Sequence, residues 1–131
     1  MVIVDTTVWI DFFKQRDTVQ VHRLSEILHN EEDVFTTGFI LQEVLSGIKK
    51  KKERDEVSSD FKQFILIMPT LQTHIQAAEI FDGCLKRGLT IRKPVDCLIA
   101  ALAMEYDLPV LEKDSDFKYI SEAFPLKREI Q

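Results

Sequence analysis

The fold is decided by an apolar segment that ends in a carboxylate and two hydroxyls, Met1-Val2-Ile3-Val4-Asp5-Thr6-Thr7. Its three consecutive β-branched residues are typical of a strand buried on both faces, as in a parallel sheet covered by helices. In such sheets ligands bind beyond the carboxyl ends of the strands, which is where Asp5 falls. Two interpretations of this position are open: Asp5 is a functional carboxylate, or Asp5 or Thr6 merely caps the next helix.

The composition is that of an ordinary globular protein. Hydrophobic residues make up 45% and charged residues 30% of the 131 residues, a balance that excludes a disordered chain. We expect a single domain over residues 1–131, large enough to bury about two thirds of the surface that the unfolded chain exposes. The formal net charge of −5 argues against general electrostatic capture of nucleic acid, although not against local contact at a metal site.

Two further features bear on where the protein acts. The longest apolar runs, such as residues 64–68, are far too short to span a bilayer, so we expect no membrane insertion. The two cysteines, Cys84 and Cys97, have no second pair with which to build a zinc site. They indicate reduced thiols in a cytoplasmic protein.

Helices alternate with short strands along the chain. The hydrophobic periodicity predicts helices over residues 7–13, 19–29, 38–48, 57–66, 73–87 and 94–106, and further strands over residues 34–37, 67–68 and 108–111. Because neighbouring parallel strands need crossover connections, this alternation predicts an α/β fold. We expect a three-layer sandwich with a mostly parallel central sheet flanked by helices.

Four carboxylates occupy positions that this architecture brings to one edge of the sheet: Asp5, Glu43, Asp96 and Asp114. Glu43 falls beside the apolar stripe of its helix, and Asp96 lies on a face of small and apolar residues. Taken alone, Asp96 either caps its helix or meets a cation, because a buried unpaired charge is too costly. Several carboxylates with no paired histidine or cysteine suit Mg²⁺ or Mn²⁺ and not zinc.

Four motifs in order carry a resemblance to a known family. They are Asp-Thr-Thr-Val-Trp-Ile-Asp from Asp5, Gln-Glu-Val-Leu-Ser-Gly around Glu43, Pro-Val-Asp-Cys-Leu-Ile-Ala-Ala-Leu-Ala around Asp96, and Asp-Ser-Asp-Phe from Asp114. Together they resemble the successive motifs of PIN-domain ribonucleases, most of all the VapC-like toxins of toxin–antitoxin pairs. The resemblance extends over nearly the whole chain, from Asp5 to Phe117.

The resemblance implies a cytoplasmic, metal-dependent endoribonuclease that hydrolyses RNA phosphodiester bonds. It also implies a cognate antitoxin protein and a homodimer. By this resemblance the catalytic and metal-binding residues are Asp5, Glu43, Asp96 and Asp114, and the metal is Mg²⁺ or Mn²⁺. Asp116 matches a neighbouring acid, which leaves open whether it or Asp114 reaches the metal, and Thr6 matches a supporting hydroxyl position.

Two residues depart from the family pattern. Glu112 stands where such proteins often carry threonine, and Cys97 stands where alanine is frequent. Glu112 either adds charge to the site or points to solvent.

Two surfaces are candidates for macromolecular contact. Aromatic and apolar side chains are concentrated in the first helix at Val8, Trp9, Phe12 and Phe13. They either pack in the core or receive an amphipathic segment of the antitoxin. A basic stretch contains Lys49, Lys50, Lys51, Lys52 and Arg54. It is either a solvated helix junction or a contact for the RNA backbone.

Two other functional classes compete with the nuclease. A phosphatase of the haloacid dehalogenase kind also places an aspartate after its first strand, but it needs a second aspartate where this chain has Thr7. A PIN fold that binds RNA or protein without cleaving it is the other alternative. The complete acidic set argues against it, because binding an anion does not require four acids.

Overall fold

The computed structural model describes all residues, 1–131, and contains four strands and seven α-helices. The strands are β1 (Val2–Val4), β2 (Val34–Thr36), β3 (Ile65–Leu66) and β4 (Val110–Leu111). The helices are α1 (Thr6–Phe13), α2 (Val19–His29), α3 (Gly38–Ser46), α4 (Lys51–Asp60), α5 (Leu71–Lys86), α6 (Pro94–Glu105) and α7 (Ser115–Ala123), and a 3₁₀ turn (Phe61–Gln63) follows α4.

The strands form one parallel sheet in the order β3-β2-β1-β4. Ile3 in β1 lies opposite Phe35 on one side and Val110 on the other. All three residues of β1 are buried, as expected for a central strand covered by helices on both faces. The predicted α/β sandwich with a parallel central sheet is therefore confirmed.

The last residues of the chain run beside β4. The amide of Val110 donates to the carbonyl of Lys127 at 3.0 Å, and the amide of Glu129 donates to the carbonyl of Val110 at 2.9 Å. Arg128 thereby forms a parallel bridge with Val110. The C-terminal segment therefore covers the outer edge of β4.

The hydrophobic core contains 28 buried residues and holds α6 at its centre. Helix α6 buries its Ala100, Leu102 and Ala103 completely, each with 0% exposure. Small side chains at this position allow neighbouring helices and the sheet to approach closely. The packing of α6 fixes its first turn, which carries Asp96, relative to the strand ends.

The segment between residues 49 and 73 differs from the sequence prediction. The helix lies at Lys51–Asp60 and not at residues 57–66, and the strand lies at Ile65–Leu66 and not at residues 67–68. Helix α4 buries only Val57, so it carries almost no hydrophobic periodicity. It forms from residues of high helix propensity such as Lys and Glu, with a Lys51–Asp55 ion pair one turn apart.

Two local features explain the other differences in this segment. The strand β3 is an exposed edge strand, whereas the next residue, Ile67, is buried with 6% exposure. This buried apolar residue explains why the sequence pattern predicted the strand at residues 67–68. The N-cap of α5 is Thr70 and not Thr73. The two threonines form a capping box in which each side chain meets the backbone N–H of the other.

Helix α1 places its apolar residues in two environments. Val8 and Trp9 are each 1% exposed, so the prediction that they bind a partner is wrong, and they pack in the core. Trp9 packs against the rings of Phe61 and Phe64, at centroid distances of 4.8 and 5.2 Å. The two phenylalanines of α1, Phe12 and Phe13, are partly buried and pack against the core.

None of the helices combines the length and the apolar character that crossing a membrane requires.

The aromatic cluster around Trp9 gives a test of this packing. We expect Trp9→Ala to lower the free energy of unfolding by about 3–5 kcal/mol, because it leaves a large cavity between α1 and the 3₁₀ turn. Phe12→Ala, at a half-buried position, serves as the control and costs less. Urea denaturation followed by circular dichroism measures both values; equal losses in the two variants would contradict the assignment of Trp9 to the core.

Candidate active site

Three helices begin at the carboxyl edge of the sheet, and each carries an aspartate at its start. Asp5 is the N-cap of α1, Asp96 lies in the first turn of α6, and Asp114 is the N-cap of α7. None of the three helices has a side-chain capping hydrogen bond at its N-cap residue. The carboxylates of Asp5 and Asp114 are therefore not used as caps, although the positive ends of the helix dipoles favour negative charge there.

These three aspartates form a cluster. One carboxylate oxygen from each lies within 4.8 Å of the others. Asp5 and Asp96 are 4% and 3% exposed, so water screens their charges poorly. Two full negative charges about 5 Å apart repel by about 3 kcal/mol at an effective dielectric constant of about 20. The arrangement is stable only if protons or a cation neutralise part of this charge.

The pKa values of the cluster reflect this cost. Burial raises the pKa of Asp96 to about 8, and the negative charges of Asp5 and the neighbouring acids add to the shift. Burial also raises the pKa of Asp5 to about 6, although a hydrogen bond from Thr7 partly offsets it. The ion-free site therefore holds at least one proton near neutral pH.

Glu43 lies next to the cluster without being part of it. Its carboxylate lines a cavity of about 190 Å³ together with Asp5, Thr6 and Asp96. The hydroxyl of Thr6 donates to Oε1 of Glu43 at 2.8 Å, whereas the hydroxyl of Thr7 donates to Oδ2 of Asp5 at 3.0 Å. Both threonines after β1 thus orient an acid, and the role of Thr7 was missed from the sequence.

Asp116 has different partners from Asp114. Its two oxygens accept the backbone N–H groups of Arg92 and Lys93, at 3.1 and 2.9 Å. The buried Asp116 therefore fixes the turn that leads into α6. The cluster of three carboxylates contains Asp114 and not Asp116, which favours Asp114 as the acid that reaches a metal.

The cation nearest to the cluster is Lys93, which the sequence analysis missed. Its Nζ lies 3.0 Å from Oδ2 of Asp114, and this hydrogen bond raises the pKa of Lys93. Its place three residues before Asp96, at the N-cap of α6, is the sequence signal by which it could have been found.

Another ion pair connects α1 to the segment that carries Asp114. Asp11 is 2% exposed, and its carboxylate accepts from Arg16 at 2.8 Å and from Lys113. Burial alone would raise the pKa of Asp11, but the hydrogen bonds from these two cations hold it below its usual value. Since Lys113 directly precedes Asp114, this pair ties the end of β4 to α1.

Glu112 neither points to solvent nor joins the cluster of three. It is buried, with 3% exposure, and its Oε1 accepts from Nε of Arg128 at 2.8 Å. Burial raises the pKa of Glu112, while the bond from Arg128 partly offsets the shift. The C-terminal segment therefore supplies the positive charge that balances this departure from the family pattern.

The basic stretch lies largely in solvent. Lys49, Lys50, Lys51 and Lys52 are exposed. One Nη of Arg54 donates to the carbonyls of Ile48 and Lys49, at 2.9 and 2.6 Å. Arg54 thus has a structural role at the end of α3, and its predicted contact with RNA stays a prediction, as does that of the lysines.

The cluster has the properties of a site for a divalent cation. Its donors are all carboxylate oxygens, which suit Mg²⁺ and Mn²⁺. In addition, Oδ2 of Asp96 is buried and has no hydrogen-bond partner. A buried oxygen without a donor is costly in a folded protein, and a cation would satisfy it.

Comparisons with known proteins agree with this geometry. The ribonuclease VapC11 of Mycobacterium tuberculosis is 26% identical over 127 residues, covering 92% of each chain. Among solved structures, the VapBC2 complex of Rickettsia felis, bound to a promoter DNA fragment, has a TM-score of 0.73 at 18% identity and covers 98% of each chain. FitAcB of Neisseria gonorrhoeae also has a TM-score of 0.73, at 20% identity, covering 92% of this chain and 94% of its own.

The family is shown by a separate match. The sequence model of the PIN domain matches residues 2–123, which include the four strands, the seven helices and all the acids of the cluster. Since this match covers nearly the whole chain and the sheet and the site have the arrangement described above, the chain belongs to the PIN domain family.

Proposed function

We propose that this protein is an endoribonuclease that depends on Mg²⁺ or Mn²⁺ and acts as the toxin of a toxin–antitoxin pair in the cytoplasm. The observation that carries the proposal is the cluster of Asp5, Asp96 and Asp114, whose oxygens lie within 4.8 Å of one another at the edge of a PIN fold. The relatives with a named activity are VapC ribonucleases. The two free cysteines agree with a reducing compartment.

The residues of the site have separate tasks in this proposal. Asp5, Asp96 and Asp114 would hold the metal, with Glu43 beside them. A bound divalent ion supplies Lewis-acid activation of water and stabilises the charge that develops on the phosphodiester. The hydroxyls of Thr6 and Thr7 orient Glu43 and Asp5, and the burial of the cluster strengthens each electrostatic interaction in the site.

The RNA substrate would approach a protein of net negative charge. The exposed lysines at positions 49 to 52 form a local region of positive charge that can neutralise phosphates of the RNA backbone. Nζ of Lys51 forms an ion pair with Oδ2 of Asp55 at 2.8 Å. Lys49, Lys50 and Lys52 are therefore the stronger candidates for phosphate contacts. These contacts are independent of base sequence.

The antitoxin would bind around α1. Phe13 lines two grooves, one of about 360 Å³ between α1, α3 and α4, and one of about 520 Å³ between α1 and α2 that also contains Phe12. Each groove is lined by both apolar and charged side chains. Two such grooves on either side of one helix suit an amphipathic segment that wraps around it. Structural neighbours of this chain are toxin–antitoxin complexes.

A homodimer would use a different face. Helix α5 exposes Leu71 and Ile75, with 79% and 47% exposure. A cavity of about 500 Å³ between α5 and α6 adds apolar surface at Phe81 and Leu98 and reaches Val95, which also lines the cavity at the acids. Large exposed apolar side chains mark interaction sites. A dimer through this face would bring two active sites near each other.

The first prediction concerns the chemistry. We expect the purified protein to cleave structured RNA with Mg²⁺ or Mn²⁺ and to be inactive in EDTA, and we expect Asp96→Asn to abolish cleavage because it removes a metal ligand. Gel electrophoresis of the products measures both. Cleavage that persists in the chelator or appears only with zinc would refute the proposed reaction, and RNA binding without cleavage would favour a binding module.

The second prediction concerns charge in the ion-free site. The pKa values of Asp96 and Asp5, about 8 and about 6, exceed the ordinary 3.8, so the folded state binds more protons than the unfolded state above about pH 4. The stability that these groups contribute is therefore lost as the pH rises towards about 8. Asp96→Asn removes one titrating charge and should flatten this dependence.

Thermal unfolding in EDTA at several pH values tests this second prediction. We expect Asp96→Asn to melt several degrees above the wild type at pH 9 and close to it at pH 5, on a scale of roughly 4 °C per kcal/mol. Asp33→Asn, at an exposed acid, is the matched control and should follow the wild type. A parallel pH dependence in all three proteins would show that Asp96 does not carry the charge cost.

The third prediction concerns the antitoxin. We expect Phe13→Gln to weaken the binding of the cognate antitoxin by tenfold or more, as for a hot-spot residue that loses roughly 1.4 kcal/mol or more. Phe124→Gln, at another half-buried phenylalanine in the segment after α7, is the control and should bind normally. Isothermal titration calorimetry measures the affinity, and thermal scans establish that both variants fold. Unchanged affinity of a folded Phe13→Gln variant would refute the proposal that the antitoxin binds in these grooves.

A further inference from the structure

Lys93 places a positive charge among the acids of the site. Its Nζ lies 3.0 Å from Oδ2 of Asp114. It is also the only basic residue that lines the cavity shared by Asp5, Glu43 and Asp96. The other lining residues are three acids, two threonines, an isoleucine and a valine, so Lys93 is the one source of positive charge in the lining.

The backbone of Lys93 is held in place, whereas about half of its side chain is exposed to solvent. Asp116 holds the amide of Lys93 at 2.9 Å, and Pro94 begins α6 immediately afterwards. The side chain itself is 52% exposed, and that of Asp114 is 25% exposed. An ion pair with this exposure is screened by water and contributes little to stability. The ammonium group can therefore leave Asp114 for solvent at small cost.

Lys93 and a divalent cation would compete for the same oxygen. Asp114 is one of the three acids whose oxygens converge, and its Oδ2 is the atom that accepts from Lys93. A divalent ion on the cluster would also repel the ammonium group electrostatically. Both effects oppose the simultaneous occupation of Asp114 by the two cations.

We propose that Lys93 is an internal counter-ion of the carboxylate cluster, which a divalent cation must displace from Asp114 before the site is loaded. This inference rests on the proposed function, because it assumes that the cluster is the metal site of the nuclease. In the absence of the ion, Lys93 compensates part of the negative charge. This compensation lowers the affinity of the cluster for the metal, so Lys93 sets the ion concentration at which the site fills.

The test compares two lysine variants. Lys93→Met retains the aliphatic stem and removes the charge. Lys127→Met is the matched control, because Lys127 is 60% exposed and forms an ion pair with Asp107 at 2.7 Å away from the acids of the site. Mn²⁺ is titrated into each ion-free protein and followed by calorimetry, and thermal scans in EDTA measure the stability without the ion.

We expect Lys93→Met to bind Mn²⁺ about tenfold more tightly than the wild type, the size expected when one like charge is removed from beside an ion in a partly screened site. In EDTA it should melt at most slightly lower than the wild type, because the ion pair that it loses is screened by water and contributes little to stability. Lys127→Met should equal the wild type in Mn²⁺ affinity.

Two results would overturn the inference, and they differ in what they say of the nuclease. If the wild type binds Mn²⁺ and cleaves RNA, but Lys93→Met binds Mn²⁺ equally or more weakly, the role of Lys93 as a counter-ion is rejected and the proposed function is unaffected. A wild type that binds no Mn²⁺ and cleaves no RNA rejects both.

Discussion

The mutual repulsion of three carboxylates is the constraint on which the rest of this structure depends. Asp5, Asp96 and Asp114 come from three separate parts of the chain, and no local interaction brings them together. The parallel sheet does so, because β1 and β4 are neighbours and end at the same edge, while the packing of α6 in the core fixes Asp96 beside them. The free energy of the buried core therefore maintains an arrangement that electrostatics alone would disperse.

The fold also supplies positive charge of three kinds. The N-termini of α1, α6 and α7 all lie at the cluster, so their helix dipoles favour the acids. Lys93 provides a full charge at Asp114, and Lys113 and Arg128 neutralise the neighbouring acids Asp11 and Glu112. Asp11 and Glu112 thus each have a cationic partner, whereas Asp96 forms no ion pair. One buried oxygen of Asp96 and one of Glu112 have no hydrogen-bond donor, but only Asp96 lies in the cluster that could hold a cation.

The sequence was sufficient to predict the fold class, which depends on strong local patterns. Of the four acids expected at one edge of the sheet, Asp5, Asp96 and Asp114 form the cluster, whereas Glu43 lies beside it. The three β-branched residues before Asp5 and the apolar run around Asp96 could only be buried. Prediction failed at α4, which buries a single residue, and at Trp9, since periodicity does not show which neighbour covers an apolar face. It also missed the Glu112–Arg128 pair, because a long-range ion pair leaves no pattern along the chain. Lys93 was missed although it lies close to Asp96 in the sequence, because its partner Asp114 is distant along the chain.

The C-terminal segment beside β4 has a consequence for self-association. A sheet edge with unpaired backbone groups is a template for strand addition and aggregation. Here the backbone groups of Lys127 and Glu129 form hydrogen bonds with the N–H and C=O groups of Val110. A strand from another molecule therefore cannot pair with this edge of the sheet. The open side is β3, which is two residues long and too short to support extended pairing. The segment that neutralises Glu112 therefore also prevents strand pairing between molecules. This protection matters most at high protein concentration, where molecules collide often.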